Sequence, residues 1–166
     1  MPHPVFSHLF GTLALVGMML AIGVFAYAVT TNAYLESQRA RLAEVAEAAA
    51  REVMEIVSLH TLGEGGFTYM DLHVPQTVGG DAYRLRLLEV EENRIAVVAE
   101  LQYGYAVRVV VVPNFGSGAV RVLQEELERG EYVFGSALCM PCADPVVAVI
   151  SRGRGYYVAL GRRARG

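Results

Sequence analysis

The first thirty-five residues contain no Asp, Glu, Lys or Arg, and from Val5 to Thr31 the apolar run is interrupted only by small polar residues and His8. At 1.5 Å per residue a helix needs about 20 apolar residues to cross a hydrocarbon layer of about 30 Å, so this run is long enough to span one. From Leu35 to about His60 the pattern turns amphipathic. Leu42, Ala46, Ala49, Val53 and Ile56 follow one another at spacings of four and three, with Arg39, Arg41, Glu44, Glu47, Arg51, Glu52 and Glu55 between them. That spacing predicts a helix with a narrow, alanine-rich stripe and charge pairs on its wet side. Such a stripe packs closely, either against the protein's own head domain or against a neighbouring helix. No Pro or Gly stands between Val24 and Leu62, so one helix is expected from about residue 5 to about residue 60, ending at Gly63, Gly65 and Gly66.

Beyond the glycines the period becomes two. Tyr83-Arg84-Leu85-Arg86-Leu87 alternates apolar and charged side chains, as a strand does with one face buried and one wet. Further strands are expected at Phe67 to Val74, Arg94 to Leu101, Tyr105 to Val112, Ala119 to Leu123, Tyr132 to Leu138, Val146 to Ser151 and Tyr156 to Leu160. Pro75 with Gly79-Gly80, Glu91-Glu92-Asn93, Pro113-Asn114, Arg129-Gly130 and Gly153-Arg154-Gly155 supply the turns. Val107 to Val112, nearly all valine, reads as a central strand, and Glu125 to Arg129 reads equally as a strand end or a helical turn. The fold class expected is α+β: a long N-terminal apolar helix over residues 1–62, then an antiparallel β-sandwich-like head of about eight strands over 63–166.

Composition agrees with that division. The chain has 166 residues, room for one compact domain and a helix outside it; 54% are hydrophobic and 19% charged, below the usual quarter, which points to a membrane and excludes a disordered solvating protein. The net charge of −3 gives no electrostatic footprint for nucleic acid. Arg162, Arg163 and Arg165 form a short basic tail, too few charges to anchor on phosphates and read as a solvated terminus. Retention of the apolar segment is expected rather than cleavage as a secretory signal, because it lacks a basic n-region, exceeds the usual length and shows no clear small-x-small site. Arg39 and Arg41 just after the segment would, by the positive-inside rule alone, place the head in the cytoplasm.

Only Cys139-Met140-Pro141-Cys142 has a chemical reading. A C-x-P-C loop at a helix N-terminus lowers a thiol pKa in thioredoxin-like oxidoreductases. Here Ala143-Asp144-Pro145 leads into the apolar run Val146 to Ile150, a turn into a strand. Zinc would need His60 and His73 to join the cysteines, and these are far apart and form no paired motif. The favoured reading is a disulfide between Cys139 and Cys142 closing a strand-to-strand loop, in an oxidising, extracytoplasmic place. Neither a phosphate-cradling loop nor a Ser-His-Asp spacing is present, and no catalytic residue, cofactor, metal or small-molecule substrate is expected. The nine tyrosines suit sheet surfaces or subunit contacts.

His3-Pro4-Val5-Phe6-Ser7-His8-Leu9 and the Gly/Ala/Val/Leu helix after it resemble the N-terminal assembly helix of archaeal type IV pilins, archaellins and their membrane-anchored accessory proteins. The segment from Val74-Pro75 through Gly79-Gly80 to Tyr83 is similar to a turn of small archaeal pilin-like proteins. The resemblance implies a structural subunit of a cell-surface filament, a homo-oligomer whose apolar helices bundle with β heads outward. Val5, Phe6, Leu9, Phe10, Leu13, Gly17, Leu20, Val24 and Tyr27 would then form the helix–helix contacts, while Leu42, Ala46, Ala49, Val53 and Ile56 pack the helix on the head. Gly11, Gly17 and Gly23, six residues apart, are small positions of the kind that let helices approach closely. The family's processing site has a basic residue ahead of the helix, and none precedes Val5. That leaves open an uncleaved membrane anchor whose head binds a surface-layer or motor protein.

Overall fold

In a computed structural model the chain is described at residues 4–63, 66–91, 94–103, 107–113, 115, 120–153 and 155–164, with only the backbone described at 4–7 and 91. Helix α1 runs from Pro4 to Leu62. Ten strands follow: β1 (Phe67–Asp71), β2 (Tyr83–Glu91), β3 (Arg94–Leu101), β4 (Arg108–Val111), β5 (Val120–Val122), β6 (Leu127–Arg129), β7 (Tyr132–Gly135), β8 (Ala137–Met140), β9 (Val146–Arg152) and β10 (Gly155–Arg163). The protein is thus α+β, a long apolar helix followed by two mainly antiparallel sheets.

It divides into two compact units, Met1–Ser37 and Gln38–Gly166. The amphipathic part of α1 therefore belongs to the head unit, and the division falls at Ser37/Gln38 rather than at 62/63. Packing explains the earlier boundary: Gln38 is the first residue of the helix to be buried, and Leu42, Val45, Ala46, Ala49, Ala50, Val53, Ile56, Val57 and His60 are buried after it. Leu42, Ala46, Ala49, Val53 and Ile56 are each completely inaccessible.

In the head unit one sheet has the order β1-β9-β10-β7-β6, with β5 added parallel to β10, and the other has the order β4-β3-β2-β8. Their centres, β9 and β3, are buried along almost their whole length. Strand β2 shows the alternation its sequence dictates: Tyr83, Leu85 and Leu87 are buried, while Arg84 and Arg86 reach Glu100 of β3 at 3.7 and 3.8 Å.

Two expectations are corrected. Tyr132 to Leu138 is not one strand: the chain leaves the first sheet at Gly135 and enters the second at Ala137, and the Leu87 amide donates to Ser136 O at 2.8 Å at the crossing. Local periodicity carries no sign of which sheet a strand joins. The valine run is not central either, for β4 lies at a sheet edge with Val110 and Val112 exposed. Within the antiparallel sheets expected, the short pair of β5 with β10 runs parallel. The ambiguous stretch at 125–129 resolves into β6, hairpinned to β7 through Gly130 at φ 63°.

Candidate functional site

Two features set the N-terminal unit apart from an ordinary soluble helix. All thirteen large apolar side chains from Leu9 to Val29 are between 49 and 73% exposed, with no apolar face turned to a core of their own chain. Of the nine positions expected at helix–helix contacts, Leu9, Phe10, Leu13, Leu20, Val24 and Tyr27 are among these exposed residues, Gly17 has open space around its Cα, and the side chains of Val5 and Phe6 lie outside the described residues. The second feature is the fate of the polar groups. Thr12 donates to the carbonyls of His8 and Leu9 at 3.1 and 2.9 Å, and Thr30 to those of Ala26 and Tyr27 at 2.9 and 3.0 Å. Their hydroxyls are satisfied by the helix backbone, as a medium without water requires. This segment is long and apolar enough to cross a membrane.

In the head unit, polar contacts tie α1 to the strands. Glu52 accepts from the His73 amide at 2.9 and 3.1 Å. His60, 3% exposed, bonds Thr68 Oγ1 through Nδ1 at 2.8 Å and Ser151 Oγ through Nε2 at 2.7 Å, and its ring meets Tyr156 edge to face at 5.5 Å. Both ring nitrogens are thereby used, and His60 acts as a clamp between the helix end, β1 and β9. Its partner Ser151 is 91 residues away, so no spacing rule could have found the pair. His73 is engaged with Glu52 instead, with Nδ1 at 3.5 Å, so the two histidines do not join the cysteines.

The segment from Pro75 to Tyr83 closes on itself. Val78 and Asp81 exchange backbone hydrogen bonds at 3.0 Å around Gly79 and Gly80, whose φ angles of 61° and 91° make a type I′ turn that glycine enters most readily. Tyr83 Oη donates to Pro75 O across the base of the loop, and burial, followed by the charge of Cys142, pushes its hydroxyl pKa well above the ordinary value. Gly79 abuts Gln38, 3% exposed, whose Oε1 has no partner among the described residues. A Cβ at position 79 would lie 2.3 Å from Gln38 Nε2.

Cys139 and Cys142 are free thiols, which corrects the expected disulfide. Strand alternation separates them: Cys139 faces outward on β8, where Arg84 Nε donates to its Sγ at 3.4 Å, whereas Cys142 lies past the turn with Sγ 3.2 Å from the buried Met140 Sδ. Burial raises the Cys142 pKa against the lowering influence of Arg162, so the site disfavours thiolate. In the basic tail, Arg163 pairs with Glu131 and with Asp144 at 3.3 Å, an internal use of charge; Arg165 lies outside the described residues.

Comparison with protein-family models, curated proteins and solved structures gives no match for this chain.

Proposed function

We propose that the protein is a pilin-like structural subunit of a cell-surface filament, assembled through its apolar helix with the β head outward. The observation that carries this reading is the contrast in apolar burial. Thirteen large apolar side chains stay in contact with solvent in the isolated chain while the head's core residues are closed off. Removing them from water stabilises a bundle by on the order of 20 kcal/mol per helix at most, since a full burial contributes about 1.5 to 3 kcal/mol and these side chains are already partly shielded. Neighbouring copies supply that burial in a filament, and the small positions Gly11, Gly17 and Gly23 allow backbones to approach. The role is structural rather than catalytic: His60 is committed to two hydroxyls, and Cys142 is held toward its thiol form.

A second reading rests on the same helix being long and apolar enough to cross a membrane on its own. In it the helix stays in lipid as an uncleaved single-pass anchor, and the head binds a surface-layer or motor protein outside the cytoplasm. Electron microscopy of the protein released from membranes separates the two. Fibres with a helical repeat are the expected result, and dispersed detergent-bound particles that co-purify with one partner would replace the filament reading with the anchor.

A further inference from the structure

The four valines of Val109 to Val112 have the composition of a strand buried on both sides, yet among the described residues β4 is an edge with only β3 beside it. Among the described residues no backbone group on its outward side finds a backbone partner, and Val110 and Val112 are 49 and 39% exposed. The edge strand β6 of the other sheet, by contrast, carries Glu128 and Arg129. Charge on an edge is the usual protection against pairing with another chain. On β4 the only charge is Arg108, at its end. Where local pattern and tertiary placement disagree, a function is the first explanation to test.

We propose that the free edge of β4 pairs antiparallel with β4 of a second copy, joining two four-stranded sheets into one. The occupant is a second copy because the strand is complementary to itself. With a two-fold axis at Val110, that side chain meets its own counterpart, Val109 faces Val111, and each Arg108 lies opposite Val112 of the other copy. Shifting the axis to Arg108 brings the two guanidinium groups together, and shifting it to Val112 pairs Val110 with position 114, past the end of the strand. The chosen register also brings Arg108 of the second copy to the end of β4, where a groove of about 410 Å³ is bordered by Glu47, Arg51 and Pro113. There Glu47 pairs with Arg51 at 3.6 Å and stays exposed, open to a second cation among the described residues.

The test uses the full-length protein in detergent with Cys139 and Cys142 replaced by Ser. Val110→Cys puts a thiol on the axis and is expected to oxidise to a linked dimer. Val112→Cys, about 14 Å from its counterpart in this register, is expected to link at least about tenfold less, because a disulfide needs Cα atoms within about 7 Å. Mixing Arg108→Cys with Val112→Cys copies is expected to restore the linked pair. The proposal is overturned if Val110→Cys stays monomeric while its circular dichroism and melting match the parent, or if positions 110 and 112 link equally. Fibres lacking the 110 link would sink this interface and leave the filament reading standing. Linked dimers without fibres would do the reverse.

Discussion

Between His8 and Thr30 helix α1 is apolar on every side and every described side chain is exposed, whereas between Gln38 and His60 it carries a buried stripe beside a charged, wet face. The backbone is the same in both stretches; what differs is the surroundings each side-chain pattern asks for. A stripe of about a hundred degrees is satisfied by one neighbouring surface, and the head unit provides it. An all-round apolar surface needs lipid or several other helices, and nothing in the chain's own fold can supply that. The two stretches therefore answer to different forces, packing within the chain's own fold in one and an apolar environment outside it in the other.

That contrast is open to direct attack. The largest effect is expected from Val53→Asp, which buries an unpaired carboxylate at a fully inaccessible position: a loss of about 4 kcal/mol or more of head stability, read as loss of the cooperative melt. Leu20→Arg, in the exposed stretch, is expected to leave the head's melting temperature unchanged. It should weaken membrane insertion or bundling by about 3 kcal/mol per helix, seen as protein released from membranes by carbonate. A fall in head stability from Leu20→Arg would show that the two stretches are not independent.

Smaller substitutions sharpen the picture within the head. Gly161→Ala places a Cβ 2.6 Å from the Phe134 ring and 2.9 Å from Val146, and this overpacking is expected to cost about 2 kcal/mol in denaturant unfolding. Gly79→Ala is expected to cost about 1 to 2 kcal/mol, part from the left-handed backbone and part from the clash with Gln38. Gln38→Ala in the same chain should return the second part only, so a double-mutant cycle separates the two. Last, Cys142 is expected to alkylate more slowly than a free model thiol at pH 7, because its raised pKa keeps it protonated. The gap should close as pH rises above the ordinary thiol range, which a pH series with iodoacetamide followed by mass spectrometry would measure.

Much of the fold is legible in the residues. The helix, its length and its five stripe positions follow from a hydrophobic period of 3.6, and the turn at Gly79-Gly80 from two residues that tolerate positive φ. What was not legible depends on partners distant in sequence. The run 132–138 is uniform in pattern yet belongs to two sheets, and the His60 clamp exists only because β9 brings Ser151 to it. Cys139 and Cys142 are close in sequence, but alternation and the turn send them to different neighbours.

By itself the sequence determined where the chain is dry all round, where it is dry on one face, and where it alternates, because those properties depend on neighbours one to four residues away. Only the tertiary structure decided that α1 joins the head from Gln38, that the valine run lies at an edge, and that β7 and β8 part company. Strand order and sheet membership are set by contacts between residues tens of positions apart, and the competing arrangements share the same local pattern and differ only in how the whole core closes.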